Sequence, residues 1–270
     1  MFMRLRPIIF TTLLAWFTGQ PFSSAQSPDL AGIAHVAFRV SDLQKSRAFY
    51  AKLGFEKAFE FTDVGKVVEL FVKVNDRQFI ELYPRTQDSQ RLELMHICFE
   101  ASDIESLRQT YVQQGLLPSE AKKFKAGNLL FVLHDPEGQL VEYTQYLPGS
   151  LHSEDRGKHL GSHRLSEHLQ ASSTPVKDLA SERVFYVDKL KFGNRSPEGV
   201  WLHLPGTVAD EIELQPAATS AQITFSVADV KKTADVLRRR GLEADVQPDA
   251  VTVSDPDGTR IVFRKSGARP

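Results

Sequence analysis

Apolar and polar positions recur along this chain in a fixed order of strand and helix patterns. Residues 32–40 are apolar and rich in residues that favour strands. Residues 43–53 carry apolar side chains at helical spacing, and Gly54 follows where a helix commonly ends. Three strand patterns come next, at 56–61, 67–74 and 78–83. The pattern therefore predicts a βαβββ module.

The same order of elements returns in the next part of the chain. Residues 92–99 predict a strand, and residues 104–114 predict a helix that ends at Gly115. The strand patterns that follow are 119–124, 129–133 and 139–145. The Asp-Pro-Glu-Gly sequence at 135–138 predicts a turn before the last strand, since Pro presets φ and Gly permits positive φ. A second βαβββ module is therefore expected.

Two weaker copies of the module follow in the second half of the chain. The third copy has patterns at 165–172 (strand), 176–190 (helix), 200–204 and 211–215 (strands). The fourth copy has patterns at 222–227 (strand), 230–240 (helix), 244–247, 251–254 and 260–264 (strands). We therefore predict an α+β fold in which four βαβββ modules form two paired domains with cup-shaped mixed sheets.

The predicted domains are residues 30–147 and residues 165–267. Between them, residues 148–164 are polar, contain three glycines and lack periodicity. This composition is typical of a linker or of a flap over a site. Its three histidines could reach a cleft, but the default expectation is that they are solvated: His152, His159 and His163.

Two histidine–glutamate pairs occupy corresponding positions in the first two modules. His35 precedes Glu81 and His96 precedes Glu142 by the same 46 residues (81 − 35 and 142 − 96). Strand alternation places each of these side chains on the sheet face opposite the apolar one. If the two modules pair their sheets into a curved cup, the four side chains converge on the floor of that cup. The repeat therefore predicts one metal site shared by two duplicated units.

Two imidazoles and two carboxylates suit one borderline divalent ion, which includes Fe, Mn, Ni, Co and Zn. Four protein ligands around a six-coordinate ion leave two positions for water or for a chelating substrate. An ion of this kind polarises neighbouring oxygens or binds O2 beside a catecholate. The expected partner is therefore a small-molecule substrate, and the identity of the ion stays open.

Charge and cysteine content narrow the function classes. The 270 residues include 33 basic and 34 acidic side chains, and the net charge of −1 argues against a nucleic-acid partner. Cys98 is the only cysteine, so the chain has no internal disulfide. It follows His96 by two residues on a predicted strand, and we expect a small buried hydrophobic residue there.

The N-terminus predicts an export signal that is not part of the fold. Arg4 and Arg6 precede an apolar stretch at residues 8–17, which is too short to span a membrane as a helix. Small residues leading to Ala25 offer a cleavage site. We expect residues 1–25 to be a signal peptide, and the mature protein to be periplasmic or secreted without further contact with the membrane.

Several phrases of this sequence resemble the vicinal oxygen chelate superfamily, which includes glyoxalase I, extradiol dioxygenases, fosfomycin-resistance enzymes and bleomycin-resistance proteins. The phrases are HVAFRVSDLQKSRAFYAKLGF, FIELYP, HICFEASD and DPEGQLVEY. The resemblance is strong over residues 32–146 and weak over residues 165–265. It implies the paired βαβββ fold and the use of a divalent metal ion.

The ligand pattern of glyoxalase I maps without a gap onto His35, Glu81, His96 and Glu142. The extradiol pattern uses the two histidines and Glu142 only. In glyoxalase I a metal-bound glutamate also transfers the proton, and by resemblance this catalytic role falls to Glu142 or Glu81. The resemblance thus favours a glyoxalase I-like lyase or isomerase. An extradiol-type ring-cleaving dioxygenase and a non-catalytic, bleomycin-resistance-like binding protein are the alternatives.

The second domain keeps only part of this ligand set. By the repeat offset, His168 and Glu213 are expected at the positions of the first histidine and the first glutamate. Gln222 replaces the second histidine, and Val262 replaces the closing glutamate. Because valine cannot coordinate a metal, we expect this domain to bind a ligand or to serve in packing only.

Overall fold

The computed structural model describes residues 30–206, 209–216 and 220–268. The signal peptide expected at residues 1–25 lies outside the described residues. The described chain forms two eight-stranded mixed sheets with helices packed on them, which is an α+β fold. The two sheets confirm the prediction of four βαβββ modules paired in two domains.

The first sheet combines the first two modules, whose strand order is β2-β3-β4-β1-β5-β8-β7-β6. Strands β1 and β5 pair antiparallel at its centre, while β1–β4 and β5–β8 are parallel pairs. The elements are β1 (Leu30–Val40), α1 (Leu43–Lys52), β2 (Glu56–Asp63), β3 (Lys66–Lys73), β4 (Phe79–Pro84), β5 (Glu93–Ala101), α2 (Ile104–Gln113), β6 (Lys122–Lys123), β7 (Leu129–His134) and β8 (Leu140–Gln145).

The second sheet repeats this topology with the strand order β10-β11-β12-β9-β13-β16-β15-β14. Its elements follow the short helix α3 (Leu151–Glu154), and they are β9 (Leu169–Val176), α4 (Leu179–Arg183) with a π-helical continuation (Val184–Lys189), β10 (Gly193–Asn194), β11 (Trp201–His203), β12 (Glu211–Pro216), β13 (Gln222–Val227), α5 (Val230–Arg239), β14 (Asp245–Val246), β15 (Ala250–Ser254) and β16 (Arg260–Lys265). Within the described ranges, no helix has the length and apolar character needed to cross a membrane.

An aspartate begins the helix after the first strand of every module. In each case the carboxylate accepts hydrogen bonds from backbone N–H groups two or three residues later, which is the usual role of an N-cap. The four residues are Asp42, Asp103, Asp178 and Asp229. The aspartate that follows His35 and His96 by seven residues is therefore a helix cap and not a part of the metal site.

The third module begins later in the chain than the repeat offset predicts. Strand β9 starts at Leu169, whereas the pattern placed this strand at 165–172. Glu213 lies opposite Ser173 in the parallel pairing of β12 with β9. In the first module, Ala37 lies opposite Glu81, and His35 lies two residues before Ala37. Ala171 therefore takes the position of that histidine.

The assignment of His168 as the counterpart of His35 was wrong. His168 precedes β9, and its Nε2 atom lies 2.7 Å from Asp210 Oδ1. The other oxygen of Asp210 accepts a hydrogen bond, at 2.7 Å, from the backbone N–H of Ile33. Ile33 belongs to the first sheet. His168 thus belongs to a polar contact that ties the two domains together.

The apolar faces of the two sheets share one buried core. Phe55 of the first domain lies 5.0 Å, centroid to centroid, from Phe225 of the second. Phe99 contacts Phe192 in the same way, at 5.4 Å. Because such aromatic contacts remove large apolar areas from water, the domains stabilise each other.

The segment between the domains packs on the first one. The N–H of Leu151, at the start of α3, donates to the carbonyl of Ala126 in the β6–β7 turn at 2.8 Å. The N–H of Gly157 donates to Asp76 Oδ1, in the β3–β4 turn, at 2.8 Å. Residues 148–164 are therefore fastened to both modules of the first sheet.

Candidate metal centre

Four adjacent strands, β4, β1, β5 and β8, carry the predicted ligands. One row across the sheet has Glu81 and His96 on either side of β1. The next row has His35 and Glu142 on either side of Cys98. Each module therefore contributes one histidine and one glutamate to two neighbouring rows at the centre of the sheet.

The ends of the four predicted ligands meet above these rows. The Nε2 atom of His35 lies 3.1 Å from His96 Nε2, 3.4 Å from Glu81 Oε1 and 3.3 Å from Glu142 Oε1. The Nε2 atom of His96 lies 3.4 Å from Glu81 Oε2 and 3.8 Å from Glu142 Oε2. None of the four residues is more than 8% exposed. The structure thus brings together all four residues that the repeat selected.

Burial and charge act in opposite directions on these groups. Burial lowers the pKa of His35, but Glu81 and Glu142 outweigh it, and the pKa is raised. Burial raises the pKa of Glu81, but His35 and His96 outweigh it, and the pKa is lowered. Two carboxylates in a buried site need a compensating positive charge. The cluster therefore favours a bound cation.

The donor set and its spacing fit one divalent ion. Donors at about 2.0–2.2 Å from one ion lie about 2.8–3.6 Å apart in octahedral or tetrahedral geometry. The observed separations of 3.1 to 3.8 Å are close to this range. His35 and His96 would bind the ion through Nε2, and Glu81 and Glu142 through carboxylate oxygens. This mixture of nitrogen and oxygen donors is compatible with Fe, Mn, Ni, Co and Zn.

Cys98 lies beside the cluster. Its Sγ atom is within 4.8 Å of donor atoms of His35 and Glu142. Burial, followed by the charge of Glu142, raises the pKa of the Cys98 thiol well above its ordinary value. The side chain is 0% exposed, which agrees with the prediction of a small buried residue.

Two further polar residues near the cluster were not selected from the sequence. The hydroxyl of Tyr83 donates to Glu81 Oε2 at 3.2 Å. Burial, followed by the charge of Glu81, raises the pKa of Glu69 to about 7. Strand alternation could have identified both residues. Phe71 and Glu81 face each other across β3 and β4. Glu69 lies two positions from Phe71, and Tyr83 lies two positions from Glu81, so both side chains are on the same face of the sheet.

The prediction of solvated histidines in the interdomain segment was wrong for His152. His152 is only 3% exposed, whereas His163 is exposed and the side chain of His159 is 42% exposed. The Nδ1 atom of His159 lies 2.5 Å from Asp155 Oδ1. His152 therefore differs from its neighbours in being part of the interior next to the metal centre.

The corresponding face of the second sheet lacks this cluster. Glu213, Gln222 and Val262 take the predicted positions, with Ala171 in place of the first histidine. Glu213 Oε2 accepts a hydrogen bond from Ser173 Oγ at 2.6 Å. Among the residues that the structure describes, the groupings of His, Cys, Asp and Glu suited to a metal all lie in the first sheet.

Comparison with known families agrees with this architecture. Residues 32–143 match the model of the Glyoxalase/Bleomycin resistance protein/Dioxygenase superfamily. This part of the chain, which contains all four residues of the metal centre, belongs to that superfamily. The resemblance drawn from the sequence phrases is confirmed. No curated protein matches the sequence.

Solved structures share the fold over most of the chain. The 2,3-dioxygenase LapB from Pseudomonas sp. KL28 has a TM-score of 0.69 and 13% identity, covering 91% of this chain and 95% of its own. The Mn(II)-bound glyoxalase from Novosphingobium aromaticivorans has a TM-score of 0.68 and 16% identity, with coverages of 88% and 82%. Homoprotocatechuate 2,3-dioxygenase from Arthrobacter globiformis has a TM-score of 0.63 and 20% identity, with coverages of 91% and 83%. At these identities the likeness shows the fold alone.

Proposed function

We propose that the N-terminal domain is a divalent-metal-dependent lyase or isomerase of the glyoxalase I type, acting on a small substrate with two neighbouring oxygens. The observation that supports this most is the convergence of four donor residues, with Glu81 among them. The three-residue extradiol pattern gives Glu81 no role. When bound, the ion supplies Lewis-acid polarisation of the substrate oxygens.

Glu142 is the better candidate for the proton-transferring base. Both oxygens of Glu81 face histidines at 3.4 Å, and one also accepts the hydroxyl of Tyr83. Glu142 has one close histidine contact at 3.3 Å and a longer one at 3.8 Å. The Cys98 thiol is also a hydrogen-bond partner of Glu142. The carboxylate with the weaker histidine contacts is freer to take the proton from the carbon beside one substrate oxygen and to return it to the neighbouring carbon. The net reaction is redox-neutral.

An extradiol-type dioxygenase is the second candidate, and an aromatic surface beside the metal centre favours it. Phe59 stacks on Phe71 with centroids 4.3 Å apart, and Phe61 lies 6.0 Å from Phe71. Phe59 and Phe61 are partly exposed, and Phe71 faces Glu81 across β3 and β4. Partly exposed rings next to a metal are suited to stacking against an aromatic substrate.

Oxygen dependence separates the two reactions. We expect turnover of a redox-neutral probe, the hemithioacetal of methylglyoxal with a small thiol, to be the same with and without O2. Glu81→Ala should abolish this turnover, because it removes one of the four donors. The measurement is product formation by NMR under air and under nitrogen, with catechol as the oxygen-requiring probe.

Glu213→Ala is the matched control, since it removes the glutamate at the same register position of the second sheet, and it should leave turnover unchanged. Oxygen-dependent conversion of catechol that survives Glu81→Ala would overturn the lyase or isomerase proposal. A protein that binds metal and substrate analogues but turns over neither probe would favour the non-catalytic binding alternative.

We also propose that the enzyme acts outside the cytoplasm after removal of residues 1–25. Intact-mass measurement of the exported protein is expected to give an N-terminus at Gln26, or its cyclised form. The charged and apolar pattern before Ala25 supports this expectation. A soluble cytosolic product that retains Met1 would contradict it. In an exported enzyme, a glutathione hemithioacetal is a poor candidate for the natural substrate, since glutathione chemistry belongs to the reducing cytosol.

A further inference from the structure

His152 is enclosed by aromatic rings on the face of the first sheet that carries the metal centre. Its imidazole meets Phe59, Phe71 and Phe79 edge to face, with centroid distances of 5.0, 5.2 and 4.7 Å. Tyr146 stacks on it at 4.8 Å with an interplanar angle of 19°. Four rings thus fix the plane of the imidazole.

One ring nitrogen of His152 is used, and the other is not. The side-chain amide Nδ2 of Asn128 lies 2.8 Å from Nδ1 and donates to it. Burial, with a further contribution from His35, lowers the pKa of His152 to about 3, so the ring is neutral. A neutral ring that accepts at Nδ1 carries its proton on Nε2. Within the described chain this buried Nε2 has no hydrogen-bond partner.

The ring of His152 lies close to the metal centre. Phe71 faces Glu81 across β3 and β4. Phe79 lies two residues before Glu81, on the same face of β4. The charges of His35 and Glu81 both act on the pKa of His152. The Nε2 atom is nevertheless not among the donor atoms that meet at the centre. His152 is therefore placed beside the site without belonging to the metal-binding set.

The segment that carries His152 is held by a buried ion pair. Lys73, on β3, is fully buried, and its Nζ lies 2.8 Å from Asp155 Oδ2. The same ammonium group lies 2.8 Å from Asp76 in the adjoining turn. Asp155 ends α3, three residues after His152. The position of the imidazole is thus fixed from both its own helix and the sheet below.

We propose that His152 is a substrate-binding residue whose Nε2–H group donates a hydrogen bond to one of the two neighbouring oxygens of the substrate. A buried N–H donor without an acceptor is unfavourable, and a ligand oxygen would satisfy it. A planar substrate with an oxygen of partial negative charge fits both this donor and the aromatic surroundings. The inference rests on the proposed function, since it assumes a chelating substrate at the metal centre.

The test uses the mature protein loaded with Zn(II), which is redox-inert and diamagnetic, and two chelating probes, tropolone and acetohydroxamate. His152→Phe keeps an aromatic ring but removes the donor, and His152→Gln keeps a donor. We expect His152→Phe to weaken the binding of both probes by about tenfold or more, with Zn(II) affinity and thermal stability close to wild type. We expect His152→Gln to recover part of the loss. His163→Phe, in the same segment but exposed, is the control and should change nothing.

A second measurement needs no variant. In protein with ¹⁵N-labelled histidine, the spectrum should show His152 protonated at Nε2, and the Nε2 resonance should shift when tropolone binds.

Wild-type affinity of His152→Phe for both probes, or an Nε2 resonance that does not respond, would overturn the role of His152 alone. A parallel loss of Zn(II) affinity in His152→Phe would assign it to support of the metal site and overturn the proposal. Failure of the wild-type protein to bind Zn(II), or of its Zn(II) form to bind either probe, would overturn the proposed function as well.

Discussion

Replacing His96 with alanine is expected to reduce the affinity of the mature protein for a divalent ion by at least about 100-fold. Loss of a group that only supports a metal ligand typically costs about 10- to 100-fold, and His96 would be a ligand itself. Its Nε2 atom lies within 3.8 Å of donor atoms from the other three residues, so the substitution removes a donor that is close to all the others. Competition with a chromogenic chelator measures the change.

The matched control is Gln222→Ala. Gln222 takes the register position of His96 in the second sheet and is buried to a similar degree, at 7% exposed. Both substitutions therefore shorten a buried polar side chain on a central strand, and only one removes a predicted donor. Equal metal affinities of His96→Ala and Gln222→Ala would contradict the proposed centre.

Glu142→Gln is expected to reduce turnover by about 10²–10⁴-fold even under conditions in which the metal stays bound. This is the usual contribution of a general base, and an amide cannot accept the proton. Metal content and the turnover number are measured on the same sample, so that loss of the ion and loss of the base are separated.

Glu213→Gln provides the control for this substitution, because it makes the same chemical change on the corresponding face of the second sheet. It should leave turnover unchanged. A Glu142→Gln protein that retains its metal and at least half of the wild-type turnover would exclude Glu142 as the base. Glu81 would then be the remaining candidate among the predicted ligands.

The convergence of the four residues could be predicted from the sequence because their spacing is repeated in the chain. Equal spacing of His35–Glu81 and His96–Glu142 is a property of two homologous modules, and strand alternation then decides which face they share. The same reasoning was wrong for the third module, where His168 was taken for the strand histidine. Asp178 would have given the correct register, since each N-cap aspartate lies seven residues after the position of the first or second histidine.

The surroundings of the centre were harder to predict, since they depend on contacts that have no period. His152 lies in a polar segment, and its burial comes from the folding of α3 onto rings from β2, β3 and β4. The two-residue strand β10 is too short to show alternation. Such features follow from tertiary packing, whereas the repeat and the alternation are local.

In the proposed metal centre, the division of the four donors between two modules, two from each side of the β1–β5 pairing, would couple metal supply to the folding equilibrium of the chain. An ion bound only by the native arrangement adds about 2.7 kcal/mol to the free energy of unfolding when its free concentration is 100 times its Kd. This contribution enters through the first sheet, since the described part of the second has no such cluster. The thermal stability of the first half would thus follow the metal content of its surroundings, whereas the second half would gain from the ion only through the buried core that it shares with the first.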